Sequence, residues 1–165
     1  MWLGKRIAIS LGMYTLAACS GAPTTPSTPL PSSPPTVGDA LVLVGGLPVQ
    51  ATVAQGTDEP ALFRVRVQAP GGLSTIRRVV LEYTQPGQNH GAPMMGGFSG
   101  SVLCYDDGTH GDDVPGDGIY HYMDGEDQIG CHGIEAPRGE YHYSFWCEDV
   151  YGQRSNTASV TVVRQ

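Results

Sequence analysis

The chain has 165 residues and a formal net charge of −7; Gly 23 and Pro 13 are high, while only 15% of residues are charged. Such a composition is rich in turns and poor in long surface helices, which excludes a coiled coil, a helical bundle and a transmembrane bundle. An acidic balance of this size also excludes a nucleic-acid partner held by electrostatics.

In chain order, the first signal is an address. Lys5 and Arg6 give a basic start and Ile7 to Ala18 an apolar stretch, too short to span a bilayer but laid out as an export signal. It closes on Leu16-Ala17-Ala18-Cys19, which resembles the lipobox of bacterial lipoproteins. That resemblance implies cleavage before Cys19 and acylation of its sulfur and new amino group. Two or more acyl chains then anchor the protein to the membrane, since each buried CH₂ contributes about 0.8 kcal/mol. Ser20 stands where the family's inner-membrane retention signal is usually Asp, so the resemblance implies the outer membrane of a bacterial cell envelope. Residues 20–38 are almost only Pro, Thr, Ser, Ala and Gly, a semi-rigid spacer of about 3 Å per residue. The expected organisation is a signal peptide at 1–18, lipidated Cys19 and linker at 19–38, and one domain at 39–165.

The domain reads as short β runs separated by turn residues. Ala40–Val44 is followed by Leu62–Val67, whose strict alternation turns Arg64 and Arg66 outward. Ile76–Tyr83, Phe98–Tyr105, Ile119–Met123, Tyr141–Val150 and Ala158–Val163 complete seven strands, and no segment sustains a 3.6-residue period. An all-β antiparallel sandwich of immunoglobulin or fibronectin type III kind accommodates such a series. The last third is more specific. Gly139-Glu140-Tyr141-His142-Tyr143-Ser144-Phe145-Trp146, the turn Asp149-Val150-Tyr151-Gly152 and the run Ser155–Val162 resemble the final hairpin of bacterial Ig-like domains. The resemblance implies a tyrosine-corner role for Tyr141 or Tyr143. It implies nothing about function, because this superfold hosts many.

Residues 106–127 hold eight acids and neither Lys nor Arg. Asp106-Asp107-Gly108-Thr109-His110-Gly111-Asp112 running into Gly116-Asp117-Gly118-Ile119-Tyr120 resembles the acidic-loop signature of Ig-like domains in bacterial secreted and surface proteins. Pro115 departs from the pattern, where a small residue is expected. Glycines with φ > 0 let a short loop curl and aim several carboxylates at one point, and such convergence repels itself without a cation. Asp106, Asp107, Asp112 and Asp117 are therefore candidate Ca²⁺ ligands. The alternative is a metal-free hairpin in which each Asp makes an Asx-turn.

Cys104, Cys131 and Cys147 remain after Cys19, and in an exported protein they oxidise where geometry permits. The strand order of the resembled fold implies a Cys104–Cys147 bridge between the sheets, with Cys131–Cys147 as the next choice. The histidines lack zinc-site spacing, and His110 is the one inside the acidic loop. Gly97-Phe98-Ser99-Gly100-Ser101 fails the nucleophile-elbow pattern at its last position. These features point to no enzyme. Two classes of function remain: a structural or adhesive surface lipoprotein, or an accessory binding module for a glycan or a protein partner with exposed aromatics as platform. Tyr120, Tyr122, Tyr141, Tyr143 and Trp146 fall on strands, where core packing is the default.

Overall fold

A computed structural model describes residues 33–49, 52–53, 60–86, 98–124 and 137–164. The expected signal peptide, Cys19, most of the linker and Cys131 lie outside these residues. In chain order the strands are β1 (Thr36–Val44), β2 (Leu47–Pro48), β3 (Thr52–Val53), β4 (Ala61–Gln68), β5 (Ile76–Gln85), β6 (Phe98–Cys104), β7 (Ile119–Met123), β8 (Gly139–Asp149) and β9 (Ala158–Arg164). One sheet has the order β2-β1-β4-β7, the other β3-β9-β8-β5-β6. Every pairing is antiparallel except the short parallel contact of β3 with β9. The architecture is the expected all-β sandwich of two sheets. The seven strands read from the sequence are present, and β2 and β3, two residues each, are additions too short to carry a period.

Alternation fixes which side chains meet between the sheets. On β4, Phe63 and Val65 are 0% exposed and Val67 is 4%, while Arg64 and Arg66 face out as expected. On β8, Tyr141, Tyr143, Phe145 and Cys147 are all buried on the facing side. The Phe63 ring meets Tyr143 at 4.7 Å between centroids with planes tilted 55°, and Tyr122 of β7 adds a third ring at 6.2 Å. Aromatic pairs of this geometry contribute about 0.5–1.5 kcal/mol beyond their area. Tyr141 takes the tyrosine-corner role: its hydroxyl donates to the Pro137 carbonyl at 2.7 Å.

The sandwich begins earlier than its composition indicates. The expected linker ran to residue 38, yet β1 starts at Thr36, Val37 is 5% exposed, and Pro35 is fully buried. A side chain holds this strand start in place. Asn156, in the β8–β9 connection, accepts from Val37 N–H at 3.0 Å and donates to Val37 C=O at 2.9 Å. The amide imitates one rung of a β-ladder and joins the first sheet to the second. A lone Pro- and Thr-rich approach offers no apolar run, so the sequence pattern missed this extension.

We predict that Asn156→Ala removes about 1–3 kcal/mol of stability, because it leaves two partly buried backbone groups unpaired. Urea unfolding checks this against Ser159→Ala, which breaks only an exposed Ser144–Ser159 hydroxyl contact and costs less than about 0.5 kcal/mol. Equal midpoints for the two variants show that the clamp contributes nothing.

Candidate functional site

The acidic loop is the connection between the sheets. After Cys104 the chain leaves β6, and Tyr105 pairs with His121 of β7 through two backbone hydrogen bonds of 2.8 and 2.7 Å. Residues 106–118 form the tip of that hairpin. Gly111 has φ +85, and a Cβ there would collide with Leu62 Cδ1 and lie 2.9 Å from Met123 Cε. The left-handed backbone favours glycine here, and the loop rests against Leu62 and Met123 on the outer face of the first sheet.

The aspartates organise the loop by accepting backbone N–H groups. Asp106 accepts from Gly116 at 2.6 Å, Asp117 at 3.2 Å and Gly118 at 2.9 Å. Asp112, 5% exposed, accepts from Gly108 at 2.8 Å and Val114 at 3.0 Å. Asp117 closes an Asx-turn on Ile119 N–H at 2.8 Å. With these bonds made, one carboxylate oxygen from each of Asp106, Asp112 and Asp117 lies within 4.8 Å of the others. Oxygens on a Ca²⁺ sphere of radius 2.3–2.6 Å are at most about 5.2 Å apart, so the spacing fits that ion. A carboxylate has about four lone-pair sites, which leaves Asp112 and Asp117 capacity for a cation.

Asp107 does not join them. It lies outside that group of three, and its Oδ1 accepts from Thr109 N–H at 3.0 Å and Thr109 hydroxyl at 2.5 Å. The Asx-turn reading holds for this residue outright. His110, inside the loop, adopts φ 56 and stacks on Tyr105 at 4.2 Å rather than facing the carboxylates. The histidine that matters is His121, which the sequence pattern did not single out. It lies under the loop, 8% exposed, with Nδ1 3.5 Å from Asp112 Oδ1 and otherwise without a hydrogen-bond partner. Burial pushes the Asp112 carboxyl up, but hydrogen bonds from Gly108 and Val114 and the field of His121 outweigh it, so the net direction is below the ordinary 3.8.

The expected Cys104–Cys147 bridge between sheets is corrected. Both residues lie in the second sheet, and both stand opposite Val79, one from each side of β5. Two inter-strand spacings separate their backbones by about 9.5 Å, beyond the ~7 Å limit for a disulfide. Among the described residues both are unbridged, buried thiols, and the alternative partner Cys131 lies outside them. Burial pushes the Cys104 thiol up to about 12 and also raises Cys147. Trp146 departs from core packing as well. It lies on the outer face, its Nε1 donating to Glu82 at 2.8 Å, with the Arg154 guanidinium 3.8 Å and that of Arg78 5.2 Å from its ring. Glu148 holds Arg78 at 2.7 Å and Arg77 at 3.3 Å. The ring is covered by cations and cannot serve as a stacking platform for sugars.

Two predictions follow from these environments. Cys104 and Cys147 should resist iodoacetamide at pH 8 in the folded protein and react on unfolding, because the thiolate is the nucleophile; peptide mapping that finds the two joined overturns the assignment. In metal-free buffer, ionised Asp112 stabilises the fold at neutral pH, since its folded pKa lies below the unfolded one. That contribution is present above about pH 4 and lost as pH falls through the folded value. Asp112→Asn should therefore flatten the acid limb of a pH–stability profile.

No protein-family model matches the chain, and no curated protein does. Among solved structures it is similar to Astrotactin-2, described as a conserved vertebrate-specific and perforin-like membrane protein involved in neuronal development. The identity is 16% and the TM-score 0.41, over 76% of this chain and 22% of that one. The chain thus spans about a fifth of that structure's length.

Proposed function

We propose that this protein is a non-catalytic lipoprotein of the bacterial cell envelope, anchored at Cys19, which displays its Ig-like sandwich as a structural or adhesive element stiffened by Ca²⁺. The meeting of Asp106, Asp112 and Asp117 within 4.8 Å carries the calcium part of this reading. The loop backbone is already set by the same carboxylates, so an ion binds without ordering a flexible segment. Bound there, it offsets the mutual repulsion of three acids and ties the β6–β7 crossover together. Extracellular calcium modules work at Kd of about 10⁻⁴–10⁻³ M, a range suited to a protein outside the cytoplasm. The lipid anchor rests on Leu16-Ala17-Ala18-Cys19.

Thermal melts at fixed ionic strength test the calcium site. At tenfold saturation the ion adds about 1.4 kcal/mol, a rise of several degrees that EDTA reverses and Mg²⁺ does not reproduce. Asp117→Asn should abolish the response while keeping its turn, and Asp107→Asn should leave the response intact. A melt indifferent to calcium and EDTA leaves a self-satisfied acidic turn instead. Mass spectrometry of the mature N-terminus tests the anchor, and an unmodified Cys19 overturns it.

A further inference from the structure

A separate hollow lies on the outer face of the first sheet. Asp39, Leu41, Arg64, Arg66 and Ile119 line a space of about 280 Å³. The register makes it: Arg64 stands beside Leu41 of β1, and Arg66 beside Ile119 of β7. A bulge between Gly38 and Leu41 puts Asp39 in the left-handed region, φ 50, and its carboxylate lies 3.4 Å from Arg66 Nε. A non-glycine residue there is held in an unfavourable conformation by its surroundings. Arg77, Arg78 and Arg154 each hold a glutamate. Arg64, half-buried, has no ion-pair or hydrogen-bond partner among the described residues, in a chain whose net charge is −7.

We infer that this hollow binds a carboxylate-bearing pyranose, a uronic-acid unit of an acidic polysaccharide. Two guanidiniums and one carboxylate leave a single positive charge, which one uronate neutralises. The Arg64 fork matches a carboxylate bidentately. Asp39, exposed, accepts ring hydroxyls, while Leu41 and Ile119 give the C–H face of the sugar an aliphatic wall. The volume lies just below that of drug-sized pockets and suits one ring rather than a chain. The site does not need the lipid anchor, and it supplies an adhesive ligand without the aromatic platform that Trp146 cannot provide.

The test is an amide chemical-shift titration of the full-length chain with D-glucuronate, in EDTA and at fixed ionic strength. Expected are saturating shifts at Leu41, Arg64 and Ile119 with a Kd on the order of 1 mM, and none with D-glucose. Arg64→Gln should weaken binding at least tenfold, and Arg64→Lys less, with melting temperature kept as for a surface substitution. Glucose and inorganic phosphate on the unmodified protein provide a comparison that needs no variant. Absence of saturation at these residues overturns the proposal. So does undiminished binding by Arg64→Gln, or equal affinity for phosphate at the same residues, which makes the hollow a general anion pit.

Discussion

The strand pleat of β4 against β8 is the constraint on which the molecule depends. Phe63, Val65 and Val67 go inward to meet Tyr141, Tyr143 and Phe145, and everything outside follows from that choice. A one-residue slip of β4 would exchange them for Leu62, Arg64 and Arg66 and bury two guanidiniums in a core of rings. The same parity on β8 sends Trp146 and Glu148 outward under three arginines. The outer hollow and the covered tryptophan are thus two consequences of one inner register.

The acidic loop solves a different problem. A chain crossing from one sheet to another must satisfy its backbone donors away from any ladder. Here the donors of Gly108, Thr109, Val114, Gly116, Asp117, Gly118 and Ile119 find aspartate oxygens. Side chains recruited as acceptors carry charge, and three of them end close together. Turn-making and cation affinity are therefore not rival explanations of these residues: the hydrogen bonds that build the turn are what bring the carboxylates to one point. Asp107 accepts only within its local turn with Thr109 among the bonds of this loop.

How much of this was legible in the sequence differs by feature. Period-two runs such as Leu62–Val67 announced their strands and their buried faces because both faces have distinct chemistry. Thr36 to Gly38 did not, since a strand start held by the Asn156 amide needs no apolar pattern of its own. The sheet membership of β6 was hidden too. Chain order says that Cys104 precedes the loop, but not that its strand lies beside β5 on the side opposite β8, and the inferred bridge failed on that single unknown. Asp106, Asp112 and Asp117 were readable from their spacing with glycines. His121 was not, because its burial comes from a loop folded over it and not from its own strand.

The Asn156 clamp also determines how the domain bears tension. Whatever precedes Thr36 pulls on the start of β1, and Val37, which faces Val67 of β4 in the register, gives its own N–H and C=O to the amide of the β8–β9 connection. Force entering there meets the Thr36–Gln68 pair with β4 and, one residue on, the amide that ties the strand to the second sheet. The pairs of β1 with β4 from Gly38 onward lie behind this point. A single asparagine, remote in sequence from the strand it holds, thus couples the start of the first sheet to the second.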